Sequence, residues 1–186
     1  MPGVITRAAP GGSRSLADVV PGVARDARTR AAFEERGTHV PPFLIRSVSS
    51  ACNLRCAGCY ARANGAVGAE AAARELTDAQ WARVLDEADE IGASFVLLAG
   101  GEPLMRRGVI ELAARHRDMV FPVFTNGTLL DGDYLDLFDR SRNLVPALSL
   151  EGTPRAPTRA GAAGSPPAWD GPSRRWANGE SSGALR

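Results

Sequence analysis

The sequence predicts an α/β protein built on a parallel sheet, and three observations predict it. Four short apolar runs, Phe43–Val48, Ser94–Ala99, Val120–Phe124 and Leu144–Leu150, have the length and near-uniform hydrophobicity of buried parallel strands. The last three recur evenly: Phe95 to Val120 spans 25 residues, and so does Val120 to Val145. The segments between them carry the periodicity of amphipathic helices. Strands alternating with helices imply right-handed crossovers on a parallel sheet. In such sheets chemistry collects at the carboxyl ends of the strands.

Each element has its own signal. Residues 1–38 are rich in Ala, Arg, Gly and small polar residues and read as a leader. Within it, Asp26 to Glu35 predicts a helix stopped by Gly37, with Ala31, Ala32 and Phe33 as weak apolar contacts. Its acids Asp18, Asp26, Glu34 and Glu35 argue against a transit peptide. Residues 39–152 form the core unit. After the first strand, Thr77 and Gln80 fit a capping box, and Trp81, Val84, Leu85, Ala88 and Ile91 follow at helical spacing before Gly92. Val109, Ile110, Leu112 and Ala113 form the next buried face, and Tyr134, Leu135, Leu137 and Phe138 the third.

Composition narrows the function classes. The chain has 186 residues and a net charge of +1, which gives no electrostatic footprint for nucleic acid. Its longest clean apolar stretch, Phe95–Ala99, falls far short of the ~20 residues that span a bilayer. No secretory signal is legible, and three cysteines cannot close a set of internal disulfides. A cytoplasmic protein is expected.

The strongest chemical signal is Cys52-Asn-Leu-Arg-Cys56-Ala-Gly-Cys59-Tyr60. All three cysteines lie within eight residues, just after the first strand. A CxxxCxxC loop brings three soft thiolates to one point, which suits zinc or an iron–sulfur cluster. Structural zinc normally takes four protein ligands, and there is no fourth cysteine. His39 precedes the first strand and should lie at its opposite end; His116 ends a helix and reads as a surface residue. Unpaired structural cysteines or a zinc site remain the alternatives. Gly100-Gly101-Glu102-Pro103 follows the second strand, Thr125-Asn126-Gly127 the third, and Ser149-Leu-Glu151-Gly152 the fourth.

In that order these segments resemble the radical S-adenosylmethionine (SAM) family, in the branch of molybdenum-cofactor, pyrroloquinoline-quinone and haem d1 maturation enzymes. The resemblance covers roughly residues 41–152. It implies a partial (β/α)₆ barrel, of which this chain supplies about four parallel strands. It also implies a [4Fe–4S] cluster on Cys52, Cys56 and Cys59, with one iron left open. SAM would be bound by Gly100, Gly101, Glu102 and Pro103, with Asn126, Ser149 and Glu151 as further contacts. Reductive cleavage of SAM would give methionine and a 5′-deoxyadenosyl radical that abstracts hydrogen from a small-molecule or peptide substrate. A reductant such as ferredoxin or flavodoxin would supply the electron. Tyr60 would pack over the cluster loop or against the barrel wall; the aromatic residue that many relatives carry just before the third cysteine is Gly58 here. A non-catalytic cluster- or zinc-binding module, or an inactive gene fragment, are the competing accounts.

The chain departs from that pattern after Gly152. Residues 153–186 hold five Pro, five Gly, five Arg and seven Ala, with Leu185 as the one large aliphatic residue. Such a segment is expected to be disordered. All 22 basic residues of the chain are Arg, and Ala occurs 31 times, which points to GC-rich coding DNA. A frameshift near Thr153 follows as a hypothesis. Reading from the third base of that codon makes apolar residues nearly forced where Ser165, Trp169, Ser173 and Trp176 now stand, since their codons can start with T, at helical spacing, and then at Ser181 and Ser182. A natural disordered tail is the rival account. A chain lacking the later strands should bind a cluster weakly, fold poorly alone, and cleave SAM slowly or not at all.

Overall fold

A computed structural model describes residues 20–149. The tail 153–186, Leu150, Glu151 and the leader before Val20 lie outside the described residues. The elements run α1 (Val20–Glu34), β1 (Phe43–Ser49), α2 (Tyr60–Ala63), α3 (Ala69–Ala72), α4 (Asp78–Glu90), β2 (Phe95–Gly100), a 3₁₀ turn (Pro103–Met105), α5 (Arg107–Arg115), β3 (Phe121–Thr125), α6 (Gly132–Arg140) and β4 (Leu144–Leu148). The four strands form one parallel sheet in the order β1-β2-β3-β4, as the alternation of strand and helix predicts.

The first three strands end one residue later than their apolar runs. Ser49, Gly100 and Thr125 extend β1, β2 and β3 toward the carboxyl rim. Hydrophobicity marks where side chains are covered, whereas backbone pairing continues into small and polar residues that have rim duties. A register irregularity between Ser47 and Ser49 bends β1 at that rim.

The helices α4, α5 and α6 cover one sheet face. Val48, Val96, Leu98, Phe121, Val123 and Leu144 meet Trp81, Leu85, Val109, Ile110, Ala113, Leu137 and Phe138 there in one buried cluster. The α4 start is the predicted capping box: Thr77 Oγ1 accepts from Gln80 N at 3.3 Å, and Gln80 Oε1 accepts from Thr77 N at 2.9 Å. Asp131 caps α6 by accepting from Tyr134 N at 2.9 Å.

Two expectations are corrected. The leader helix is already formed at Val20, the first described residue and six before Asp26. It is held by Gly22 and Asp26, while Ala31 and Ala32 are exposed. A Cβ on Gly22 would lie 2.5 Å from the Asp118 carbonyl oxygen, so only glycine permits that approach. Arg25 then pairs with Asp26, Asp89 and Asp118 at 2.6–2.9 Å. The anchorage is electrostatic, so an apolar pattern did not reveal it. His116 is also not a surface residue: its side chain is 14% exposed, tilted against Phe121 and 3.4 Å from Asp86. His39 is exposed beside Glu34, before β1, as expected.

Candidate functional site

The site is assembled at the carboxyl rim, where β1, β2 and β3 deliver their loops side by side. β1 ends at Ser49, and the cysteine loop begins three residues later. Backbone bonds from Gly101 N to Ser49 O (2.6 Å) and from Glu102 N to Ala51 O (2.8 Å) hold the Gly-Gly-Glu-Pro turn against the entrance to that loop. The contact requires glycine. Gly100 has φ +125°, and a Cβ on Gly101 would sit 2.1 Å from the Ala51 carbonyl oxygen and 3.2 Å from Cys52 Cβ.

Cys52, Cys56 and Cys59 are free thiols, each partly buried. Burial, followed by the neighbouring Cys52 and Cys59, pushes the Cys56 thiol up. The loop is braced from within. Arg62 Nη2 donates to Leu54 O at 2.7 Å, Cys59 N donates to Cys56 O at 3.3 Å, and Leu54 N points at Cys52 Sγ at 3.4 Å. Among the described residues, no group of His, Cys, Asp and Glu is gathered tightly enough for a single metal ion. A tetrahedral zinc with Zn–S of about 2.3 Å would need sulfurs about 3.8 Å apart. The donor set is three soft thiolates with no fourth cysteine in the sequence, and it fits a multi-iron cluster better than one zinc.

Glu102 is 1% exposed, and its carboxylate is already engaged. Oε1 accepts from Leu104 N (3.0 Å) and Thr125 Oγ1 (2.7 Å); Oε2 accepts from Asn126 N (2.8 Å). The side chain therefore ties the β2 rim to the β3 rim. Any ligand at this segment meets the backbone of Gly100 and Gly101, which is partly exposed, rather than a free carboxylate. Pro103 is buried and opens the 3₁₀ turn. Asn126 follows β3 with a partly exposed side chain. Ser149 N donates to Thr125 O at 2.9 Å, which places Ser149 at the same rim, whereas Glu151 lies outside the described residues. Tyr60 opens α2 and is 74% exposed, so it packs neither over the loop nor against a wall.

Sequence reasoning missed several rim residues. Ser50 donates through its N and Oγ to Glu75 Oε1, and Arg106 Nη1 reaches Glu75 Oε2 at 2.8 Å. Asn53 and Thr128 bond across the rim at 2.7 Å. Their signal was adjacency to a motif, Asn53 inside the cysteine loop and Thr128 just after Asn126-Gly127, and no local pattern shows that the two meet. A cavity of about 430 Å³ lies beside β1, bounded by Arg46, Ser50, Arg74, Glu75 and Trp81. Neither the cysteines nor Gly100–Pro103 line it. No helix among the described residues is long and apolar enough to cross a membrane.

Similarity to known proteins agrees with this geometry. A Fe-coproporphyrin III synthase of Methanosarcina barkeri is 36% identical over 92 residues, 48% of this chain and 22% of the relative. A PqqA peptide cyclase of Granulibacter bethesdensis is 36% identical over 94 residues, 49% of this chain and 24% of the relative. A probable GTP 3′,8-cyclase of Methanopyrus kandleri is 37% identical over 89 residues, 47% of this chain and 27% of the relative. The chain thus matches about a quarter of the length of these relatives. Among solved structures, Streptococcus suis SuiB bound to S-adenosylmethionine superposes with a TM-score of 0.54 at 23% identity, over 68% of this chain and 29% of that one. SuiB bound to its precursor peptide SuiA gives 0.52 at 22%, over 68% and 28%. At such identities the superposition speaks for the fold. The profile of the radical SAM superfamily matches residues 47–163, more than half the chain, and on that match the protein belongs to the radical SAM superfamily.

Proposed function

We propose that this chain is the N-terminal part of a radical SAM enzyme, with Cys52, Cys56 and Cys59 holding a [4Fe–4S] cluster and the Gly100–Pro103 turn receiving SAM beside it. The observation that carries this reading is the pair of backbone bonds joining Gly101 and Glu102 to Ser49 and Ala51, which sets the turn against the start of the cysteine loop. When bound, the cluster would supply the electron that cleaves SAM to methionine and a 5′-deoxyadenosyl radical, the species that takes hydrogen from substrate.

The chain's own residues do the positioning. The cysteines give soft ligands on one short loop, leaving a further ligand position to come from elsewhere. Gly100 and Gly101 bring bare backbone to the ligand without a Cβ in the way. Glu102 spends its carboxylate on holding Thr125 and Asn126, so that the β3 rim faces the same space. Asn126 and Ser149, at the ends of β3 and β4, offer polar contacts there, with Glu151 beyond. Proteins supply binding, orientation and exclusion of water to such cofactors, while the cofactors carry the hard chemistry. The expected setting is cytoplasmic, with a ferredoxin or flavodoxin as reductant and a small molecule or peptide as substrate.

Anaerobic reconstitution with iron and sulfide tests the reading. Expected are iron and sulfide in equal amounts, below the four irons per chain (about four for a full cluster), abolished by replacing all three cysteines with Ala. SAM should shift the electron paramagnetic resonance signal of the reduced protein. Stoichiometric zinc in place of iron, or iron uptake indifferent to the cysteines, would overturn it. DNA across codons 145–186 tests the accompanying frameshift proposal: stop codons early in the alternative frame defeat it.

A further inference from the structure

One set of contacts at the rim joins Asn126 to two residues with no role so far, Asn53 and Thr128. Asn53 lies between the first two cysteines, and its side chain reaches the loop after β3. Its Nδ2 donates to Thr128 Oγ1 at 2.7 Å. Thr128 Oγ1 donates in turn to Asn126 Oδ1 at 2.6 Å. Asn126 Nδ2 donates back to Asn53 Oδ1 at 3.0 Å. Each of the three contacts pairs a donor with an acceptor, and the ring closes on itself. Thr128 N also donates to Asn126 Oδ1 at 2.9 Å, and Asn126 N donates to the buried Glu102 carboxylate at 2.8 Å. The ring therefore joins the buried Glu102 carboxylate on one side to the cysteine loop on the other.

We propose that Asn53, Asn126 and Thr128 form a polar clasp that pre-sets the cysteine loop for its cluster, with Asn53 and Thr128 as positioning residues. This rests on the cluster-binding reading above. The first cysteine is held from both sides: Ala51, before it, accepts from Glu102 N, and Asn53, after it, is held by the clasp. Closed rings of hydrogen bonds reinforce one another. Asn53 is exposed, so the clasp contributes little to global stability. Its effect falls on the order of the loop, and so on how long the loop keeps its metal. Outer partners that orient metal ligands typically matter by about 10–100-fold in metal affinity.

The full chain carries the test, as wild type, Asn53→Ala, Thr128→Val, Thr128→Ser and the Asn53→Ala/Thr128→Val double variant. Two readouts are taken: backbone amide exchange over residues 53–59 before iron is added, and the rate at which a chelator strips iron after reconstitution. Asn53→Ala should speed amide exchange over the loop and strip about tenfold faster than wild type. Thr128→Val should show a smaller effect of the same kind, Thr128→Ser should restore wild-type behaviour, and the double variant should be no worse than Asn53→Ala alone, because both remove one ring. Thermal melting should not move. If wild type takes up no iron, the functional reading falls and this inference with it. If wild type takes up iron but Asn53→Ala exchanges and releases at wild-type rates, or the two substitutions add, the clasp alone is overturned.

Discussion

On the helix-covered face of the sheet, Val96, Leu98, Phe121 and Val123 are shut away from solvent; on the opposite face of the same strands, Phe43, Ile45 and Phe124 stand exposed. The register aligns the second set as strictly as the first, with Ile45 beside Leu97 and Phe124 beside Ala147. The difference lies in what covers each face. Apolar side chains on both faces are what a fully covered parallel sheet requires. Within residues 20–149 only one face is packed. Stability of this region therefore comes from the helix side, while the bare face and the carboxyl rim above it are where the family's chemistry is proposed.

The most forceful way to break that comparison is to truncate one residue on each face. Leu98 is 0% exposed, and Leu98→Ala should cost about 3–4 kcal/mol, the sum of lost transfer energy and the cavity left behind. Ile45 is 63% exposed, and Ile45→Ala should cost less than about 1 kcal/mol. Urea unfolding of both variants measures this, and equal losses would show that the second face is packed after all.

Glu102→Ala comes next. It strands Leu104 N, Thr125 Oγ1 and Asn126 N without their acceptor, at a cost of about 2–3 kcal/mol. The same substitution should also cut iron uptake, because Asn126 loses its anchor. Leu98→Ala, measured where it is still folded, should leave uptake per folded chain unchanged. A Glu102→Ala variant as stable as wild type would mean that the carboxylate is not the joint between the two rims.

The parallel sheet, the three covering helices and the cysteine loop were legible because each is written in local periodicity or close spacing. Trp81, Leu85 and Ala88 announce α4 by their spacing, and Cys52, Cys56 and Cys59 announce a metal loop. The parts that were not legible are long-range polar contacts. Arg25 reaches Asp118 across 93 positions and Asn53 reaches Thr128 across 75, and no window of sequence contains both ends. Glu102 was visible as a motif residue, yet its burial and its three donors depend on how β2 and β3 come together. The His116 ring was misplaced for the same reason: its cover is Phe121 and the carboxylates of α4, elements set by the fold.

A smaller effect isolates the helix side alone. Thr77→Ala removes the capping box of α4 and should cost about 1 kcal/mol. The loss should appear in urea unfolding without any change in amide exchange over residues 53–59, since the side chains of the box, Thr77 and Gln80, bond to each other and not to the cysteine loop. A change there would join the two regions that the comparison keeps apart.

The least effect is expected from acid, and it should act on the rim first. Burial would raise the Glu75 carboxyl, but hydrogen bonds from Ser50 Oγ and N, together with the charge of Arg106, outweigh it and leave the group below the ordinary 4.5. A carboxyl depressed by folding stabilises the protein above its unfolded value, and that contribution fades as pH falls through the folded one. Glu75 is the acceptor for Ser50, the residue that follows β1, so protonation releases the base of the cysteine loop while the apolar cluster beneath has nothing to titrate. Arg106 would keep its bonds to Asp78 and Leu76, which limits the damage. Glu75→Gln should therefore flatten the decline of stability below about pH 4.5, and amide exchange at Ser50 should rise in wild type at a higher pH than exchange at Leu98. If both amides respond together, acid acts on the whole sheet and the rim has no separate weakness.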